Sequence, residues 1–352
     1  MTNCTYMTKT ILKTVCILFS LAGLTASCSK YGNYPDELTP VRQNGLCGYI
    51  NLKGDFVIEP QFDDADCFTD DIAMVISNGM VGYINKKGEF VIPPQYYCGT
   101  HFWNDRAFVM KDENSWIECI DKKGNRCFVL PHGWTAQAFS DGRALIADEK
   151  SVIGLIDPDG IIHENLAYEN GLPFTEGLAA VQKNGSWGFV DHDGLVRIPF
   201  RFHNVDSFFE GLAPASEVNL WGVIDKKGNW VVPPRFDTIG VFHDGRCAVG
   251  IEGVWGYINR SGDIVIEPRF QDAAEYSEGL ACVCIDGKWG FIDEDGNIVI
   301  EPQFDSPASF YNNVAFVTKN GLIGIIDSSG QVVCDYQFEP ATLYLFSNMI
   351  PF

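Results

Sequence analysis

A short string returns along this chain at a nearly fixed interval: glycine, an aromatic or aliphatic residue, Ile or Val, then Asn or Asp. It reads Gly48-Tyr49-Ile50-Asn51, Gly82-Tyr83-Ile84-Asn85, Gly154-Leu155-Ile156-Asp157 and Gly188-Phe189-Val190-Asp191. It continues as Gly222-Val223-Ile224-Asp225, Gly256-Tyr257-Ile258-Asn259, Gly290-Phe291-Ile292-Asp293 and Gly324-Ile325-Ile326-Asp327. The interval is 34 residues except around a degenerate copy, Trp116-Ile117-Glu118-Cys119-Ile120-Asp121, where it is 36 on each side and Glu118 stands in the glycine's place. Nine copies at one period specify a repeat array, in which each unit buries its apolar face against its neighbours and no single central core forms. That overrides the prior of two or three ordinary domains for a chain of 352 residues.

The unit itself reads as strands and turns. In the copy that starts at Leu178, Leu178 to Lys183 has strand character and Asn184-Gly185 is a two-residue hairpin signal. Ser186 to Asp191 forms a second strand, and Asp191-His192-Asp193-Gly194 a second turn. Leu195 to Pro199 forms a third, followed by a loop that carries Phe202 and Phe208 and ends at Glu210-Gly211. Pairs of aromatics six apart recur in that loop, among them Phe62 with Phe68, Phe270 with Tyr276 and Phe304 with Phe310. They are expected to pack one unit on the next, because a lone small meander cannot bury its own apolar face. No segment beyond the N-terminus has helical periodicity.

The expected fold is therefore all-β: about nine three-stranded antiparallel meanders of 34–36 residues over 41–352, the last one truncated. An open solenoid or superhelix is the first expectation. A closed β-propeller is the alternative, disfavoured because propellers commonly have four to eight blades of four strands.

The N-terminus reads as an export signal. Lys9 and Lys13 precede an apolar run from Val15 to Leu24, then Thr25-Ala26-Ser27-Cys28. The run is short for a membrane span, which needs about 20 apolar residues. Thr25-Ala26-Ser27-Cys28 resembles a bacterial lipobox, although Leu24 sits one position before the place where that pattern prefers leucine. The resemblance implies cleavage of residues 1–27, lipidation of Cys28 and a polar tether over 28–40. The expected location is then a bacterial membrane from the outside, at the outer membrane or cell surface, since several acyl chains on one residue anchor firmly.

Several units carry the string Lys-Trp-Gly-Phe-Ile-Asp or a close variant. Trp187-Gly188, Trp221-Gly222, Trp255-Gly256 and Trp289-Gly290 hold the Trp-Gly pair, and Lys288 to Asp293 is the fullest copy. Ile264 to Phe270 and Ile298 to Phe304 add a Val-Ile-x-Pro-x-Phe segment. These residues resemble the bacterial WG-repeat family over about 41–345. Cys47, Val81, Ile153 and Ile323 replace the tryptophan elsewhere. The resemblance implies no catalytic motif and no cofactor.

Charge and motif chemistry narrow the function. The net charge is −21, and residues beyond 27 hold 23 basic against 46 acidic side chains, a surface that repels phosphate backbones. Nucleic acid is therefore not an expected partner. Asp157-Pro158-Asp159-Gly160, Asp191-His192-Asp193-Gly194 and Asp293-Glu294-Asp295-Gly296 open like calcium loops but lack the glutamate at position twelve, so they read as turns. Cys282 and Cys284 share one strand and face the same way, which suits neither a normal disulfide nor, without two more ligands, zinc. No metal site is expected, and no nucleophile–base spacing stands out.

The one stretch that breaks the array's rule is 98–150. His101, Trp103, Trp116 and Trp134 there are the residues expected to build a ligand-binding feature, with simple drift of a tolerant loop as the competing reading. The expected function is a non-enzymatic exported scaffold that binds protein or glycan at the cell envelope and meets the membrane through Cys28. A purely structural envelope lipoprotein is the alternative, and an enzyme with its site in 98–150 is a weaker one.

Overall fold

A computed structural model of the chain describes residues 38–148 and 153–341; the expected export signal, Cys28 and most of the expected tether lie outside the described residues. The described chain is all-β and antiparallel. The meander forms where the turns place it. In the first unit, Thr39–Gln43 pairs with Leu46–Ile50 across Asn44-Gly45, whose φ values of 53° and 83° define the mirror-image turn that Asn-Gly favours. Leu46–Ile50 then pairs with Phe56–Phe62. The intervening turn is held by Asn51, whose Oδ1 accepts the Lys53 and Asp55 amides at 2.9 and 3.0 Å.

The segment read in sequence as a loop adds a fourth strand. After Phe62 the chain forms Asp64–Thr69, which pairs with Ile72–Ser77 of the next meander (Asp64↔Ile76, Thr69↔Ile72). The three-stranded unit is thus completed by the end of the segment before it. Residues 64–96, 98–129, 135–168, 170–202, 204–236, 238–270, 272–304 and 310–340 each form such a four-stranded blade. We number them blades 2 to 9, and residues 39–62 are blade 1. The turn after each inner strand is again of the mirror-image kind: Asp70-Asp71 at φ 50° and 66°, Glu210-Gly211 at 51° and 76°. Acid-Gly here does the work that Asn-Gly does in the next hairpin.

Blade 1 contributes only three strands of its own. Its fourth neighbour is the end of the last strand, Val332–Pro340, through Val41↔Pro340 and Arg42↔Glu339, so that blades 1 and 9 share one seven-stranded sheet. A second contact repeats the relation. In successive blades the turn glycine lies on a side chain of the blade before it: Gly88 on Ile58, Gly124 on Ile92, Gly160 on Phe128, Gly262 on Val232, Gly330 on Ile300. Gly54 of blade 1 lies in the same way on Cys334 of blade 9. Val41 and Ile50 share a buried cluster with Ile323, Ile325 and Phe338. The all-β array of nine units therefore returns on itself. Of the two arrangements considered for it, these end-to-end contacts belong to the closed one, although no single sheet closes into a barrel.

The core is distributed between blades. Phe68 of blade 2 meets Tyr49 of blade 1 at 4.9 Å between ring centroids, Phe208 meets Phe189 at 4.9 Å and Phe310 meets Phe291 at 4.8 Å. The paired aromatics thus pack one unit on the next, and Phe62, Phe68, Phe202, Phe208, Phe304 and Phe310 are all buried. Each such ring contributes roughly 2 kcal/mol from burial. Arg201, Arg235 and Arg269 add a latch, each donating to the turn carbonyl of the following blade (Gly228, Gly262 and Gly296).

The Trp-Gly glycine has a steric cause. In blade 8, Trp289 faces Phe304 but Phe291 faces Ile300, so two residues of one strand oppose four of the outer strand. The surplus folds over Gly290, where an added Cβ would lie 2.5 Å from the Ile300 carbonyl oxygen and 2.7 Å from the Pro302 nitrogen. Gly48 and Gly188 are covered alike by Ile58 and Ile198 carbonyls at 2.5 and 2.7 Å. The proline in the surplus has no N–H to offer on an exposed edge strand, which protects that edge from pairing with another chain.

Blade 3 explains its own exception. Its outer strand is only Arg126–Val129, and Glu118 faces Val129 in regular register, so nothing crosses above it. A side chain fits there, and Glu118 pairs with Lys111 at 3.2 Å and Arg126 at 3.7 Å.

Candidate functional site

Strand direction divides the ring into two faces. On one lie the turns after the inner strands, such as Asp70-Asp71; on the other lie the Asn-Gly turns and the crossings between blades. His101 and Trp103 belong to the first face, in T-shaped contact at 6.4 Å beside the turn Asn104-Asp105, with the Trp103 amide donating to Arg106 O at 2.9 Å. Trp116 lies across Arg106–Met110 on the other face, 6.1 Å from His132. Trp134 is on that second face too, its amide donating to Pro131 O at 3.2 Å and its ring partly buried against the cluster of Phe108, Ile117, Leu130 and Phe139. The four residues singled out from sequence are therefore not one site. Trp116 and Trp134 share a face with His132, while His101 and Trp103 lie opposite.

Trp116 is 54% exposed, the most open large aromatic among the described residues. A longer turn lifts it. Where other units have Asn-Gly, blade 3 has Asp112 to Ser115, closed by the Ser115 hydroxyl, which accepts the Lys111 and Asp112 amides at 2.8 and 3.0 Å and donates to Asp112 O at 2.9 Å. His132 is exposed beside it. The patch has an aromatic face, an imidazole edge and nearby charges, but no nucleophile. It can stack and donate hydrogen bonds.

Side-chain oxygens of the turns after the inner strands join neighbouring blades. Asp70 Oδ2 accepts the Asp105 amide at 3.0 Å, Asn104 Oδ1 that of Gly142 at 2.9 Å, and Asp141 Oδ2 that of Gly177 at 2.5 Å. Glu176 accepts from Gly211 at 3.0 Å, and Glu278 from Asn312 and Asn313 at 2.7 and 2.8 Å. Cations answer several of them: Lys86 on Asp71 and Arg260 on Glu210, both at 2.8 Å. The hydrogen bond from Lys86 draws the Asp71 carboxyl below its ordinary range.

The calcium-like strings are turns whose carboxylates face their own backbone. Asp157 Oδ1 accepts the Asp159 and Ile161 amides at 3.0 and 2.8 Å, and Asp293 Oδ1 those of Asp295 and Asn297 at 3.0 and 2.8 Å. The Asn297 side-chain amide, then the backbone amides, hold Asp293 below its ordinary range. Among the described residues, no three His, Cys, Asp or Glu side chains gather as metal ligands. Burial pushes the Cys47 and Cys282 thiols up to about 12 and Cys247 well above its ordinary value, the opposite of what a thiolate nucleophile needs.

The WG containing repeat family matches residues 48–80, 82–114, 153–187, 187–219, 221–255, 255–289 and 289–322, and the chain belongs to that family. The match skips 115–152, the stretch that holds Trp116 and Trp134. No curated protein sequence matches the chain. Among solved structures it is similar to a eukaryotic initiation factor, 12% identical, with a TM-score of 0.61 over 86% of this chain and 95% of that one. BamB from Moraxella catarrhalis is 11% identical, with a TM-score of 0.46 over 81% of this chain and 97% of that one. At these identities the first likeness concerns the fold alone.

Proposed function

We propose that the chain is a non-catalytic binding scaffold of the bacterial cell envelope, exported, held to a membrane by lipid on Cys28, and directed at a protein partner. The burial of the repeated aromatics supports a protein over a glycan. Rings such as Phe62, Phe68, Phe304 and Phe310 are closed between blades and offer no strip for sugar stacking. The exposed ground is the Trp116–His132–Trp134 patch, on a strongly acidic chain whose excess of acidic over basic side chains favours a basic partner and disfavours nucleic acid. The regularity of the other units, whose motif residues serve turns and packing, supports a role without catalysis.

The test uses a soluble form starting after Cys28, presented with panels of envelope proteins and glycans. Trp116→Ala is expected to weaken the protein interaction by about 2 kcal/mol, roughly 30-fold in Kd, with Tm unchanged because the side chain is exposed. Equal binding by Trp116→Ala, or binding confined to the glycan panel, contradicts the proposal. The anchor is read separately, by lipid labelling that Cys28→Ala must abolish.

A further inference from the structure

We propose that Cys119 and Cys127 form a disulfide that staples the outer strand of blade 3. Cys119 lies in Glu118–Asp121 and Cys127 in the neighbouring Arg126–Val129. The register runs Cys119↔Phe128 and then Ile120↔Arg126, so Cys127 is the extra residue of a bulge, set against the gap between Cys119 and Ile120. An extra residue leaves the strict alternation of side chains, which lets its thiol face a cross-strand neighbour. Burial first, and then the neighbouring Cys127 thiol, push the Cys119 thiol above its ordinary value, as two adjacent sulfurs would. Cys119 is buried and Cys127 is exposed, so that one sulfur is open to an oxidant and the other is held behind it. The turn between them is fixed, with Asp121 Oδ1 accepting the Lys123 and Asn125 amides at 2.9 and 2.8 Å.

The place has a structural reason. Blade 3 has Glu118 at the glycine position and the shortest outer strand in the ring, four residues where the others have seven or more. A covalent link compensates at the blade that carries Trp116.

The oxidant is a small organic disulfide. The Cys127 thiolate attacks one of its sulfurs, forming a mixed disulfide and releasing one thiol. The Cys119 sulfur then attacks the Cys127 sulfur, its proton passing to the second thiol as that leaves. The protein loses two hydrogens and two electrons, and the oxidant gains them as two thiols.

The full chain is treated with oxidised glutathione, digested without reduction and mapped by mass spectrometry. Trypsin cuts at Lys122, Lys123 and Arg126, so the two cysteines fall in separate peptides that stay joined only through sulfur. The expected result is a linked Cys119–Cys127 pair, lost on reduction, with Tm higher by a few degrees in the oxidised chain. Cys119→Ala is expected to stop at the glutathione adduct on Cys127, and Cys127→Ser to remain unmodified at this site. A parent chain that keeps glutathione on Cys127, or that links Cys119 elsewhere, overturns the proposal.

Discussion

Removing the last strand by truncation after Gly330 is expected to cost about 5 kcal/mol and to end cooperative melting of the ring. The deleted segment carries Cys334, Phe338 and Ala341, all buried, at roughly 1–3 kcal/mol per side chain according to size. Its loss strips blade 9 of its outer strand, and with the same cut blade 1 loses the neighbour of Thr39–Gln43. Val41, Ile50 and Ile325 then face water. A shorter truncation after Phe338 separates the two effects. It leaves the outer strand of blade 9 in register with Leu322–Asp327 but removes the partners of Val41 and Arg42. It is expected to lower Tm by a smaller but clear step. An array with free ends would lose stability in the first truncation and almost none in the second. Thermal melts of the three chains, read by circular dichroism, distinguish these outcomes.

The second large effect is a matched pair of glycine substitutions. Gly290→Ala places a methyl 2.5 Å from a backbone oxygen and 2.7 Å from a proline nitrogen, and neither belongs to a side chain that can swing away. The outer strand must lift, at about 2–3 kcal/mol, which lowers Tm by roughly 5 °C or more. Gly154 occupies the same place in blade 4, yet among the described residues the backbone atom nearest to an added Cβ is the His163 oxygen at 3.7 Å, an ordinary contact. Gly154→Ala is expected to leave Tm within a degree or two, or to raise it, because alanine restricts the unfolded chain. Equal losses in both variants would show that the glycine serves backbone conformation in every unit, and the crossing strand would not be its cause.

Much of this architecture was legible in the residues. Asn184-Gly185 and Asp191 to Gly194 marked both meander turns, and the spaced aromatics marked the packing between units. The inner strand was hidden because it is short in most blades, two residues in Cys98–Gly99, and because its turn is written Asp-Asp or Glu-Gly instead of Asn-Gly. Periodicity needs more residues than that to register. Closure was hidden for a different reason: Val41 and Pro340 pair across the whole length of the chain, and no local pattern encodes such a contact. For the candidate site, the sequence pointed to the blade where the turn is long and the glycine missing. It could not sort His101 and Trp103 from Trp116 and Trp134, because that depends on which end of Arg106–Met110 each one reaches.

The central claim, that nine units return on themselves, is tested most directly by a distance between the two end blades. Lys53 and Ser329 are exposed and occupy equivalent turns of blades 1 and 9. Cysteines placed at both, with exposed Cys127 changed to serine, take spin labels for a double electron–electron resonance measurement. Facing sheets pack about 10 Å apart, so labels one step apart in a closed ring give a single distance within ~20 Å. Eight steps along an extended open array carry the same labels to ~80 Å. A narrow short distance is the expected result, and a distance of several tens of ångströms beyond it would contradict the ring.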